Sequence, residues 1–522
     1  MLKQRPDPGN AGLRTKLEER SMNFKELFAG VEVSHVSGSL DGDIQSVVYD
    51  SRKATPGSIF FALHGEKLEG TKFAEDALKR GAIAIASDAP WSGRSVWMPE
   101  AVTWFSLTPG SGRRGLARAS ANWYGRPADA LKLIGVTGTN GKTTTAFLVD
   151  SILRVAGRTT GLIGTTGYRT PAGSRVAVNT TPESLDLQQM FAETRDAGGT
   201  HAVLEASSHA LAMDRLWGCK FAAAIFTNLT RDHLDYHKTF EEYFAAKRLL
   251  FEGTGAGAPD VAVINTDDPY GAELAGIAKR TMTYGLKGPA DLTAKKVSLN
   301  FHGLEFTAQT PAGNIEVRSP FVGRINVYNI LAAMGAAIGL DIPNAKIEQG
   351  IASLELVPGR FQRIDEGQPF LVIVDYAHTD DALRNLISTA RELGTSARII
   401  TVFGAGGERD RTKRPLMGEA AGSLSDLVVL TSDNPRSEDP LRIINDVVVG
   451  LQKVNARYQI EPDREKAVAL AIEEAQPGDI VLLAGKGHET YQVLHDSTIE
   501  FDDREKARAI LRRKGYAKKV GK

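Results

Sequence analysis

Short apolar runs punctuate the chain, and between them apolar residues recur three and four positions apart. The runs read as buried strands and the spaced stretches as amphipathic helices. In the first part, residues 44–49, 58–63 and 82–87 are strand-like, and 73–80 carries helical spacing. The turn Lys53-Ala-Thr-Pro56-Gly57 punctuates them. Residues 131–136 form the next apolar run, followed by a glycine-rich turn and a helical pattern over 143–155. Further strands are expected at 201–205 and 222–227, a hairpin region at 297–317, and a helix rich in Ala and Gly at 326–338. Four more buried strands follow at 370–374, 399–403, 427–431 and 479–484, with helices between them. Strands alternating with helices predict an α/β protein with mainly parallel sheets, the last of them doubly wound.

At 522 residues the chain is too long for one core. Its punctuation suggests three domains after a disordered leader at 1–22: an N-terminal α/β domain over 23–127, a central P-loop domain over 128–358 and a C-terminal Rossmann-like domain over 359–522. The leader is charged, contains Pro6, Pro8 and Gly9, and lacks the apolar core of an export signal. Formal net charge is zero, with 63 basic and 63 acidic residues, which argues against a nucleic-acid coat or a polybasic membrane surface. The single cysteine, Cys219, allows no intrachain disulfide and fits a reducing, cytoplasmic setting. No apolar run is long enough to span a bilayer.

The first chemistry lies after the run at 131–136. Gly138-Thr139-Asn140-Gly141-Lys142-Thr143, set between a strand and a helix start, is a phosphate cradle: backbone N–H groups face an anion and Lys142 adds a point charge. Thr143 is placed to reach a magnesium ion. The wider P-loop pattern asks for a glycine where this chain has Val136. The strand at 201–205 ends in Glu205, the usual place for a metal-binding carboxylate in such proteins. Ala206-Ser207-Ser208-His209 and Asn228-Leu-Thr-Arg-Asp232-His233 follow strands, where open sheets bind ligands. Thr239 and Glu242 read as a capping box, and Phe240, Tyr243, Phe244, Leu250 and Phe251 make the apolar stripe of the helix it opens. Lys247 falls in that stripe. Two readings stay open: snorkelling to the surface, or an amine with a depressed pKa that takes up carbon dioxide as a carbamate.

The last four strands each deliver charge at their C-terminal ends: Asp375-Tyr-Ala-His378, Gly404-Ala-Gly-Gly-Glu-Arg409-Asp410, Asp433-Asn434-Pro435-Arg436 and Gly485-Lys486-Gly487-His488-Glu489. Arg409 and Arg436 suit carboxylates or phosphates, and Glu489 suits an ammonium, so an amino acid is the natural ligand. A surface network of ion pairs is the bland alternative.

Taken in order, Gly138–Thr143, Glu205–His209, Asn228–His233, Lys247 in Tyr-Phe-Ala-Ala-Lys, Gly359-Arg360, Asp375–His378 and Asp433–Arg436 resemble the Mur ligases, from about Asn23 to the end. The resemblance implies an ATP-dependent amide-bond ligase of peptidoglycan precursor synthesis, acting with Mg2+ through an acyl phosphate. It implies ATP at Gly138, Thr139, Asn140, Gly141, Lys142, Thr143, Thr144, Asn329, Arg360, Asp375 and His378. Metal would sit at Thr143, Glu205, His233 and Lys247, the last as the carbamate N6-carboxylysine, with Lys142, Lys247, Glu205 and His233 catalytic. For a UDP-N-acetylmuramoyl-L-alanyl-D-glutamate substrate it points to Ser51, Glu66, Lys67, Leu68, Asn179, Thr180, Thr181, Ser207 and Arg215. The Asp433–Arg436 motif resembles the branch adding meso-2,6-diaminopimelate, implying Arg409, Asp433, Asn434, Pro435, Arg436, Gly485 and Glu489 around that amino acid. Two departures stand out: Met213 where some relatives have Gln, and Tyr49 where relatives have an aliphatic residue. A monomer is expected, with no nucleic-acid partner and no membrane insertion. A P-loop kinase or NTPase, a nucleotide-controlled binding module, and a lysine-adding or folylpolyglutamate-type ligase remain the alternatives.

Overall fold

The computed structural model describes residues 20–65, 69–89, 93, 98–394 and 396–517. Among them, three α/β units follow one another. The first carries a five-stranded sheet in the order Val33–Ser37, Thr103–Leu107, Ala82–Ser87, Ser58–Phe61, Ser46–Val48, parallel except for its first pair. The expected strand at 44–49 is broken by Gln45. Asp43–Ile44 turns away to pair with Met22–Asn23, and Ser46–Val48 joins the sheet. Arg20 also donates to the Trp123 carbonyl, at 2.8 Å, so the leader expected over 1–22 is tied down at its C-terminal end; residues 1–19 lie outside the described part.

The second unit holds an eight-stranded sheet. Six parallel strands run in the order Thr160–Gly164, His201–Glu205, Lys132–Thr137, Phe221–Phe226, Val261–Asn265, Arg280–Tyr284. Gly167–Thr170 and Gly173–Arg175 add antiparallel strands at one edge. Nearly every residue of the parallel strands is buried, as a sheet covered by helices on both faces requires. The helix Arg324–Gly339 lies so close that a Cβ on Gly335 would stand 2.7 Å from Val263 Cγ1. The expected hairpin region is a three-stranded meander, Thr293–Asn300, Gly303–Thr310 and Gly313–Ser319.

The third unit orders its strands Gln362–Ile364, Leu371–Asp375, Ile480–Ala484, Ile399–Phe403, Leu427–Leu430, Tyr458–Ile460. All neighbours are parallel except the first pair, and apolar cores fill both faces. The expected strands at 370–374, 399–403, 427–431 and 479–484 are therefore present to within a residue at each end, at the centre of a doubly wound sheet. Their C-terminal ends share one edge. No helix among the described residues is long and apolar enough to cross a membrane.

Candidate active site

The glycine turn after Lys132–Thr137 is a conformational necessity. Gly138 has φ 141° and a Cβ there would meet Thr227 Oγ1 at 1.9 Å; Gly141 has φ 86° and its Cβ would meet Asn329 Oδ1 at 2.4 Å. Asn228 holds the loop from the next strand, its carbonyl accepting from Thr139 N at 2.8 Å and its Oδ1 from Asn140 N at 2.9 Å. The helix Lys142–Val155 starts at once, with its N-terminal dipole towards the cleft.

Around this turn lies a cavity of about 240 Å³ lined by Thr139 to Thr144, Glu205, His233, Lys247, Asn329, Arg360, Asp375 and His378, with Phe321, Val322, Ile325 and Leu386 as its apolar wall. Thr143 Oγ1 donates to Glu205 Oε2 at 3.1 Å and accepts from Arg360 Nη2 at 2.9 Å. Glu205 is buried and accepts further from Thr165 N at 2.8 Å and Thr165 Oγ1 at 3.0 Å. Every hydrogen-bond donor to this carboxylate among the described residues is neutral, and the nearest cation acting on it is Lys142. Arg360 lies over the Tyr376 ring at 4.7 Å, and its buried Nε has no hydrogen-bond partner among the described residues. Both features suit a bound polyanion and its cation. Asp375 accepts from Phe361 N at 2.7 Å and Ala377 N at 2.8 Å, so it shapes the turn that carries Arg360, and burial raises its pKa. His378 Nδ1 faces the Tyr376 carbonyl at 2.8 Å, which can only accept. The proton therefore sits on Nδ1, while burial lowers the pKa of the ring.

Lys247 is fully buried on the helix Phe240–Glu252, which Thr239 caps by accepting from Glu242 N at 3.1 Å. Its Nζ donates to the Gly138 carbonyl at 2.8 Å, and Lys142 Nζ donates to that same oxygen at 2.9 Å and to Thr139 O at 2.8 Å. Snorkelling is thus ruled out. Burial, then the neighbouring Lys142, pushes the Lys247 amine well below the ordinary lysine range. His233 stands close by in a left-handed backbone conformation, φ 54°, with its pKa lowered by burial to about 3. His209 packs edge-on against it at 4.7 Å.

A second, larger cleft of about 1110 Å³ adjoins the first. Thr165, Thr180, Ser207, Asp232, His233, Tyr376 and His378 line both. On one side it is lined by Asn179, Met213 and Arg215, on the other by Arg409, Asp433, Asn434, Arg436, Gly485 and Glu489. Arg436, also in left-handed backbone at φ 53°, donates from Nη1 to Gly407 O at 2.7 Å.

Three family models match the chain: the Mur ligase middle domain over 136–337, the Mur ligase glutamate ligase domain over 359–487, and the Mur ligase family catalytic domain over 43–98. A UDP-N-acetylmuramoyl-L-alanyl-D-glutamate--2,6-diaminopimelate ligase of Solibacter usitatus (strain Ellin6076) is 52% identical over 499 residues, 95% of this chain and 99% of that protein. The chain belongs to the Mur ligase family. An enzyme of the same name from Geobacillus thermodenitrificans (strain NG80-2) is 46% identical to this Mur ligase over 90% of its length and 95% of the relative's. A solved structure of a UDP-N-acetylmuramoyl-L-alanyl-D-glutamate--2,6-diaminopimelate ligase superposes at TM-score 0.65 with 34% identity, covering 95% of this chain and all of that one. MurF from Acinetobacter baumannii shares the fold at TM-score 0.65 and 20% identity.

Most of the residues singled out in this Mur ligase face one of the two clefts. Gly138 and Thr181 stand behind the walls. Thr181 Oγ1 donates to the Glu205 carbonyl at 2.6 Å and accepts from Ser207 N at 3.0 Å, and its own carbonyl accepts from Arg215 Nη1 at 2.7 Å. Pro435 also lies behind, where its carbonyl would stand 1.9 Å from a Cβ on Gly407. Ser51 is buried in the first unit, on neither cleft wall, and its hydroxyl bonds Asp76. Glu66, Lys67 and Leu68 fall outside the described residues. Met213 places its sulfur 3.6 Å from Arg215 Nη2, where Gln would offer an amide. Tyr49 donates to Asp186 Oδ2 at 2.5 Å, linking the first unit to the second. Sequence reasoning named Asp232 in its cluster without giving it a role, although it lines both clefts beside His233, and passed over Asp381, which accepts from Asn140 Nδ2 at 2.7 Å. Asp232 was signalled by its place in the cluster after a strand; Asp381 had no signal beyond the start of a helix.

Proposed function

We propose that this Mur ligase joins meso-2,6-diaminopimelate to UDP-N-acetylmuramoyl-L-alanyl-D-glutamate, coupled to cleavage of ATP to ADP and phosphate. The observation that carries the reading is the shared wall of the two clefts. An acid activated beside the P-loop can meet an amine held by Arg436 and Glu489 without leaving the protein. The names of relatives at 42–52% identity point to the same reaction.

ATP phosphates lie against the 138–144 turn and the helix N-terminus, with Lys142 swinging from its loop carbonyls to the phosphates and Arg360 Nε supplying a free donor. The D-glutamate γ-carboxylate attacks the γ-phosphorus, forming an acyl C–O–P bond and expelling ADP. The amine nitrogen then attacks the acyl carbon, loses a proton, and the tetrahedral intermediate expels phosphate. Such transfers depend on positioning and charge neutralisation. Asn179, Thr180, Thr181, Ser207 and Arg215 hold the nucleotide-linked dipeptide, with Ser51 and the 66–68 stretch contributing from the first domain. Arg409, Asp433, Asn434, Pro435, Arg436, Gly485 and Glu489 form the amino-acid subsite.

Thr143 and Glu205 would hold a magnesium ion through the hydroxyl and carboxylate oxygens that meet at 3.1 Å, with His233, on the wall of the same cleft, as a further ligand. Bound there, it would neutralise phosphate charge. Lys247 completes the set as a carbamate: a neutral buried amine attacks carbon dioxide and releases a proton, replacing a disfavoured cation with an anion. The domains run over 23–127, 128–358 and 359–522. On this reading a monomer suffices, since one chain supplies every subsite, and the protein works in the cytoplasm, where such substrates would be met.

The test is a substrate panel. ADP release should require both the nucleotide dipeptide and diaminopimelate, and L-lysine should be turned over about 100-fold less efficiently. ADP release without an amino acid, or equal turnover of lysine, overturns the reading.

A further inference from the structure

The amino-acid cleft rests on one ionised group that its ligand cannot reach. Lys486 follows the strand Ile480–Ala484, and its side chain is completely buried. An ammonium carries three N–H bonds. Lys486 Nζ has three side-chain acceptors in reach: Glu489 Oε2 at 3.1 Å, Asn434 Oδ1 at 3.2 Å and Asp433 Oδ1 at 3.4 Å. Asn434 closes the ring, donating from Nδ2 to Glu489 Oε2 at 3.0 Å, while Val493 N fixes its Oδ1 at 2.9 Å. Every acceptor of Lys486 belongs to a residue on the cleft wall.

The neighbouring buried cation is already matched. Arg464 is bidentate to Asp503, at 2.9 and 2.7 Å, and also donates to Ser432 O and Ala484 O. Lys486 is the buried cation that hydrogen-bonds both Asp433 and Glu489, while the charge of Arg464 reaches the two only through space. The carboxylate charge in excess of Lys486 faces a ligand ammonium, and Arg436 and Arg409, on the same side of the cleft, face its carboxylate.

We propose that Lys486 is a positioning and specificity-determining residue for the amino acid: from beneath the cleft it cancels one of the two carboxylates and aims the other, so that the subsite accepts a single ammonium beside a carboxylate. This rests on the ligase reading above. Without the lysine, two carboxylates crowd one buried site, and one of them must take up a proton or turn away.

The experiment uses the full chain, following ADP release at saturating ATP and nucleotide dipeptide while diaminopimelate is varied. Lys486→Met and Lys486→Gln should each raise KM for diaminopimelate about tenfold or more, with kcat and KM for ATP changed by less than about threefold. Combined with Glu489→Gln, the KM increase should fall about fivefold or more short of the product of the single increases, because both act through one interaction. Lys486→Gln keeps a neutral donor of similar length, so it separates charge from mere hydrogen bonding. KM within about threefold of the parent, or fully multiplicative effects, overturns the proposal. So does loss of folding in both lysine variants, judged by thermal unfolding and ATP affinity, since Lys486 would then be structural. A parent that fails to respond to diaminopimelate sinks the ligase reading instead; a responsive parent matched by its Lys486 variants sinks only the role of Lys486.

Discussion

The two clefts meet at one wall yet are built from different materials. The nucleotide cleft is mostly backbone: a turn forced by Gly138 and Gly141, a helix N-terminus, and lysines resting on loop carbonyls. The amino-acid cleft is mostly side chain: Lys486, Asp433, Asn434 and Glu489 in one ring, with Arg414 pairing Glu438 and Asp446 behind the arginine loops. Oriented amides attract any phosphate but cannot count charges. A ring of ionised side chains can, because one missing partner leaves a buried charge unmatched. The first design should therefore fail through turnover and the second through selectivity.

The largest effect should come from Lys142→Ala. It removes the mobile cation of the P-loop, and kcat should fall about 10³-fold while KM for diaminopimelate stays within a few fold. Lys247→Arg comes next, with kcat down about 10²-fold, since a guanidinium cannot form the carbamate and keeps a cation where an anion is needed. Isotopically labelled bicarbonate should give a carbamate carbonyl resonance in the parent and none in that variant. A Lys247→Arg enzyme with parental turnover would end the carbamate reading.

On the side-chain cleft, Arg436→Ala should raise KM for diaminopimelate about 100-fold and leave ATP affinity unchanged, because the ligand carboxylate would be buried without its partner. The preference for diaminopimelate over L-lysine should shrink by a similar factor. A fall in kcat with unchanged KM would mean that the two clefts do not divide the work as their construction suggests.

That division also decided what could be read beforehand. The P-loop was legible because its chemistry is local: a strand, a glycine turn and Lys142-Thr143 are contiguous, and the pattern dictates the conformation. The four charged strand ends of the last unit were legible as a set, since parallel sheets put C-terminal ends on one edge. Lys247 stood out as a cation within an apolar stripe, although periodicity alone could not separate snorkelling from burial. The split at Gln45 and the edge strand Tyr458–Ile460 were not legible, because strands of three residues are too short to show a period, and the alternating strand Gly313–Ser319 was merged into one hairpin region with its neighbours. Lys486 was visible in its glycine run but not interpretable, since two of its three partners, Asp433 and Asn434, come from a strand end more than fifty residues away in sequence.

The smallest effect is expected where the two constructions touch. Asp381, at the start of the helix Asp380–Leu393, accepts from Asn140 Nδ2 at 2.7 Å and from Thr230 Oγ1 at 3.0 Å, tying the third unit to the P-loop. Burial raises its pKa above the ordinary 3.8. A carboxyl raised in the folded state binds its proton more tightly there than when unfolded. Its contribution to stability is therefore full below 3.8 and is lost as pH rises through the raised value. Asp381→Asn keeps an acceptor and removes the buried charge. Its KM for ATP should stay within about threefold of the parent, and its stability advantage in denaturant unfolding should grow from acid to neutral pH. Asp381→Ala, with no acceptor, should raise KM for ATP about threefold to tenfold. If Asp381→Asn were instead as damaging as the alanine variant, the junction would depend on charge, and the contrast between a backbone cleft and a side-chain cleft would not extend to the place where they join.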